Sequence, residues 1–146
     1  MAAAPFERSA RLGYGAGFAA TLLPAVAGQL ILRLLPEGGN PVEAIQDFGY
    51  SFTGISLLGG FLLARRARKS RERIRALEPK EQTRLIRREY LGIALVCAVS
   101  ALFGIAYWGL GGRTVERHAR TFLALGPVAY LALAPWPSRW LGSDRT

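Results

Sequence analysis

The sequence predicts an all-α integral membrane protein, with four transmembrane helices in two antiparallel hairpins and a basic cytoplasmic helical hairpin between spans 2 and 3. Three observations predict it. Apolar residues make up 51% of the 146 and charged residues 20%, yet the two kinds are segregated along the chain. Four apolar runs, at about 12–35, 44–64, 90–110 and 119–136, approach the roughly 20 residues needed to cross a bilayer core. Between the second and third lies RRARKSRERIRALEPKEQTRLIRRE, residues 65–89, with eleven basic side chains against four acids, or +7 of the chain's net +9. The whole chain, 1–146, reads as one membrane domain.

Lys and Arg in short loops beside span ends are retained in the cytoplasm. The basic block is therefore expected inside, and four spans put both termini inside as well. The Pro36–Glu43 loop and the Gly111–Arg120 loop then lie outside. The second of these carries Arg113, Arg117 and Arg120 against Glu116, a small bias that opposes the rule without approaching the inner block. The expected location is a bacterial inner membrane.

The first run follows Arg8 and Arg11 and contains Ala25-Val26-Ala27, which has the small-x-small form of a signal peptidase site. The run continues through Leu30 to Leu35, longer than a cleavable segment, so an uncleaved first span is expected. Gly13, Gly17 and Gly28 mark a small face suited to close helix contact. Pro24 has no N–H and displaces the carbonyl of Ala20, so a kink relieved by the Thr21 hydroxyl is expected.

Arg33 near the end of the first span and Asp47 near the start of the second are joined by the short turn-rich stretch PEGGNPV. The two helices are expected to be antiparallel neighbours, with Arg33 and Asp47 as an ion pair. The alternative is a polar pocket open to the outside in which Asp47 joins Gln29, Gln46 and Tyr50, since an ionisable group within a span is a functional candidate. The second span presents Gly49 and Gly60 among Thr53 and Ser56, another small-residue face. Hydroxyls there can bond carbonyls of their own helix, so they do not imply a polar path.

After Ala64 only good helix formers follow, so the second helix is expected to extend to about Leu77, and Pro79 to open the next. Ile74 and Leu77 with Leu85 and Ile86 supply the apolar groups that could close this hairpin, and Glu72–Arg75 and Glu81–Arg84 are possible local pairs. Its exterior, Arg65, Arg66, Arg68, Lys69, Arg71, Arg73, Arg75, Arg84, Arg87 and Arg88, suits anionic lipid headgroups of the cytoplasmic leaflet or an acidic partner. Nucleic acid is not the expected partner, because aromatic residues are not interleaved with these charges.

The third run is the most uniformly apolar. Ser100 and Gly104 offer a close-packing face, while Tyr90, Tyr107 and Trp108 read as markers of the two interfaces. The stretch 111–120 reads as a short interfacial helix with Glu116 able to pair with Arg113 or Arg120. The fourth run carries Gly126-Pro127 centrally and Trp136 and Trp140 as inner interfacial anchors.

One cysteine, Cys97, excludes an intramolecular disulfide, a dithiol redox centre and a multi-cysteine metal site. One histidine, His118, excludes a bis-histidine haem within a single chain. No metal or cofactor is expected. Three function classes fit these residues. The preferred one is a non-enzymatic accessory or scaffold subunit of a membrane complex, a homo-oligomer or associated with other membrane subunits. A small oligomeric channel or carrier with a path near Pro24, Asp47 and Pro127 is the second. An enzyme acting at the outer interface through Glu116, His118 and the neighbouring arginines is the third.

Overall fold

The computed structural model describes residues 3–35 and 42–140, and their side chains apart from 3–6, 42–45, 67, 71, 72, 75, 139 and 140. These residues are helical almost throughout and contain no strand. Four α-helices follow in order: α1 (Ala3–Leu34), α2 (Val42–Arg75), α3 (Pro79–Gly111) and α4 (Glu116–Leu133). A 3-10 turn over Gly112–Val115 joins α3 to α4, and another covers Pro137–Trp140. Two stretches are long and apolar enough to cross a membrane, Glu7–Leu34 and Pro79–Leu133, the latter joining α3 and α4.

Local chemistry sets the breaks. α2 runs past its apolar part to Arg75 because Arg, Lys, Ala and Glu all tolerate helix well. Pro79 pushes Glu78 out of the helical region, to φ −63° and ψ 150°, and itself needs no amide donor as the first residue of α3. The Gln82 side chain donates to the Leu77 carbonyl at 2.8 Å, covering one of the acceptors freed at the bend. At the far end of α3, Gly112 has φ 57° and ψ −137°, a conformation open to glycine and strained for other residues. α4 stops where Pro135 extends Ala134 to ψ 130°.

α3 is the central element. It packs along α1, α2 and α4, while α1 and α2 make almost no contact with each other among the described residues. The expectation that the first two helices form a packed antiparallel pair is therefore corrected: α3 provides the surface that each of them uses. The segment 36–41 linking them lies outside the described residues.

Small residues let the helices approach. A Cβ at Gly104 would stand 2.7 Å from the Ala119 carbonyl oxygen, and one at Gly126 would stand 2.7 Å from that of Cys97. α3 and α4 thus touch backbone to backbone at two levels. Gly13 and Gly17 of α1 face the rings of Tyr90 and Tyr130, and Gly28 faces Leu123. On α2, Gly49 faces Tyr107 and Gly60 faces Leu133. The glycine faces are sockets for large side chains of α3 and α4.

Several aromatic residues consequently point inward. Tyr90, Tyr107 and Trp108 are buried, which corrects their reading as membrane-interface markers. Tyr90 donates to the Pro135 carbonyl at 2.8 Å, tying the start of α3 to the end of α4. Trp136 is exposed and stacks on Tyr14, with ring centroids 5.5 Å apart. The side chain of Trp140 lies outside the described set. The Thr21 hydroxyl is buried and donates to the Phe18 carbonyl at 2.8 Å, so its described bond does not serve the Ala20 carbonyl that Pro24 frees. Ser100 likewise bonds back to Cys97, at 2.8 Å, and Thr53 to Gly49, at 2.9 Å, as expected of hydroxyls inside helices.

Candidate functional site

The charged groups collect at the two ends of the bundle. At one end the α2–α3 bend carries the basic hairpin. Ile74 and Ile86 are buried there in a cluster with Ala10, Tyr90 and Ile93, and Leu85 packs against it. The hairpin is therefore fastened to the start of α1 as well as to itself. Arg65, Arg66, Arg68, Lys69, Arg73, Arg84, Arg87 and Arg88 are exposed. Arg66 reaches Glu89 across the hairpin at 3.8 Å. The side chains of Arg71, Glu72 and Arg75 lie outside the described set, and with them the expected Glu72–Arg75 pair. The helical hairpin thus displays a dense cationic surface with few acids, an arrangement that attracts anions by field more than by one contact.

At the opposite end, the first two helices do not bring Arg33 and Asp47 together. Both are exposed, and the described ion pairs include none between them. The polar pocket is not assembled either: Gln46 donates to the Tyr50 hydroxyl at 2.8 Å along the exposed surface of α2, with Asp47 beside them, whereas Gln29 belongs to α1.

Arg33 instead lines a cleft of about 380 Å³ between α1, α3 and α4, together with Leu32, Leu35, Trp108, Arg113, Glu116 and Arg120. Glu116 binds Arg120 at 2.5 Å, one turn along α4. With three arginines and one glutamate the lining is net positive. Two of the lining residues, Leu32 and Trp108, belong to a buried cluster with Ala101, Ala119 and Leu123. Trp108 is 6% exposed, and its indole N–H is buried without a hydrogen-bond partner among the described residues. Such a donor costs about 1–3 kcal/mol when it goes unpaired.

His118 and Arg117 are exposed. His118 approaches the ring of Tyr107, centroid to centroid 6.3 Å, beside the aromatic cluster where Phe52 stacks on Phe103 and meets Phe122 edge-on. It is not among the residues lining the cleft around Glu116, so the acid–base set considered for an outer-interface enzyme is not gathered in one place. The cleft itself was not legible as a motif. Its members come from three helices, and no local spacing links Arg33 to Trp108 or to Glu116.

No protein-family model matches the chain, and no curated protein or solved structure is similar enough to count as a match. The fold and its charged ends define an all-helical protein with membrane-length apolar segments.

Proposed function

We propose that the chain is a four-span membrane protein with the basic hairpin and both termini in the cytoplasm, acting as a non-enzymatic accessory or scaffold subunit. One observation carries the reading: a belt of large apolar side chains stays exposed between the two charged ends. Leu22, Leu23, Val26 and Leu30 on α1, Ile55, Leu57, Leu58, Phe61 and Leu62 on α2, Leu95 and Leu102 on α3 and Val128 on α4 are each more than 40% exposed. An apolar surface this continuous is a membrane or protein interaction surface. α2 supports the scaffold assignment, because it leans on α3 and to a smaller extent on α4, and among the described residues it has almost no contact with α1. Its exposed face is available to a helix of a second subunit, whether another copy or a different membrane protein.

The basic hairpin would then lie against the cytoplasmic headgroups, where each Lys or Arg contributes about 1 kcal/mol of attraction to anionic lipid. Topology is tested with paired reporter fusions after Gly38, Ser70, Pro79 and Gly112. Cytoplasmic signals are expected at Ser70 and Pro79 and external signals at Gly38 and Gly112; a cytoplasmic signal at Gly112 defeats the four-span reading. Native mass spectrometry in mild detergent tests the scaffold assignment, which fails if the chain is released only as a bare monomer.

A further inference from the structure

We propose that the cleft between α1, α3 and α4 is a binding site for the phosphate headgroup of a membrane lipid. Three features point to an oxyanion. Arg33, Arg113 and Arg120 line the cleft from three different elements and do not lie in a row along one helix. Guanidinium is the side chain best matched to phosphate, because its planar fork donates two parallel hydrogen bonds. Glu116 is engaged by Arg120, and the exposed Arg33 brings to the lining a further positive charge suited to a phosphodiester monoanion.

The third feature is Trp108. Its ring lines the cleft, and its N–H is a buried donor with no partner among the described residues. A phosphate oxygen supplies the missing acceptor. Because the nitrogen is sealed from solvent, that oxygen reaches it only when the surrounding side chains shift. Satisfying a buried donor that is otherwise unpaired adds directly to affinity.

The same chemistry could be offered by a soluble phosphate ester. The surroundings favour a lipid: Leu32 and Leu35 line the cleft, and Leu30, Ile31 and Leu34 continue from it as an exposed apolar face along α1 on which acyl chains can lie. Only this choice of source rests on the membrane reading; the oxyanion site stands on the cleft itself.

The test uses the full chain with Trp136→Phe and Trp140→Phe, so that Trp108 is the sole tryptophan, in an uncharged detergent. Its fluorescence is titrated with dioleoylphosphatidylglycerol, with dioleoylglycerol, which has the same chains and no phosphate, and with soluble glycerol phosphate. A saturable change is expected with the phospholipid, none with dioleoylglycerol, and a change only at much higher concentration with glycerol phosphate. Arg33→Gln should raise the phospholipid midpoint by about ten-fold, the loss of one charge-assisted contact. Arg33 is exposed, so the melting temperature should not move. Arg65→Gln, Arg66→Gln and Arg68→Gln together should leave the midpoint unchanged, which separates this site from the basic hairpin. The proposal is overturned if neither phosphate compound gives a saturable change, or if Arg33→Gln titrates like its parent. Equal midpoints for glycerol phosphate and the phospholipid would overturn the lipid source. Failure of the membrane reading appears separately, at the Gly112 fusion.

Discussion

The hydroxyl of Tyr130 in α4 donates to the main-chain carbonyl of Tyr14 in α1 across 3.0 Å, joining residues 116 positions apart. Gly17 makes that bond possible, because a Cβ there would overlap the same hydroxyl oxygen and lie 2.7 Å from the ring carbon bearing it. Tyr130 is fully buried, so the clash has no outlet toward solvent. Gly17→Ala should therefore destabilise the bundle by about 1–3 kcal/mol, as overpacking does. Tyr130→Phe should cost about 1 kcal/mol for the lost hydrogen bond. The double variant should be less damaged than the sum, since the phenyl ring removes the nearest clashing atom. Thermal unfolding in detergent measures all three, and strict additivity would contradict the contact.

Gly104 and Gly126 set the α3–α4 separation through main-chain contacts that no rotamer change can relieve. Gly126→Ala should lower stability by roughly 1–3 kcal/mol, and Gly104→Ala by a comparable amount. Gly54→Ala is the control, because a Cβ there meets nothing within 4 Å and the helix gains propensity. Equal melting temperatures for Gly54→Ala and Gly126→Ala would show that this approach is not tight.

A different cost applies at the turn after α3. Gly112→Ala places a side chain at φ 57° and ψ −137°, where L residues are strained by about 1–3 kcal/mol. Its expected signature is lower thermal stability, with helix content unchanged by circular dichroism below the melting transition.

Neutralising either arm of the basic hairpin should weaken adsorption to vesicles containing anionic lipid. Glutamine at Arg65, Arg66 and Arg68, or at Arg84, Arg87 and Arg88, removes three charges, a loss of roughly 3 kcal/mol at low salt. Both losses should shrink as ionic strength rises. The first set should lose slightly less, because Glu89 already engages Arg66. A loss confined to one arginine and indifferent to salt would indicate a specific partner contact instead.

Arg33 and Asp47 should behave independently. Both are exposed and no described bond joins them, so Arg33→Gln and Asp47→Asn should each leave melting nearly unchanged and combine additively. A coupling above about 0.5 kcal/mol in the double-mutant cycle would restore the ion pair.

These residues show where the sequence could be read and where it could not. The helices were legible because apolar runs, a continuous stretch of helix formers over 65–77 and Pro79 act locally. Ile74 and Ile86 could be placed opposite one another for the same reason, since a short bend fixes its own arms. The choice of neighbour for α1 was not local. A short linker dictates connection, but contact was decided by Gly13, Gly17 and Gly28 accepting Tyr90, Tyr130 and Leu123 from far along the chain. Tyr90, Tyr107 and Trp108 sit at span ends, where amphipathic rings commonly face headgroups, and only the glycines and backbone acceptors opposite them reveal that they turn inward. Gly126 stands beside Pro127 in the middle of the fourth run, and nothing local shows that, like Gly104, it marks a close approach of two helices.

The dominance of α3 also has a consequence for how the chain comes together. A ribosome delivers α1 and α2 before any of α3 exists, and those two helices have almost no surface for each other among the described residues. Gly13 and Gly17 wait for Tyr90 and Tyr130, at least 75 residues downstream, so the first half of the chain holds sockets without plugs. A nascent chain ending near Ala76 is thus two separate helices, each kept in place by its own solvation, and tertiary structure begins only when α3 arrives between them.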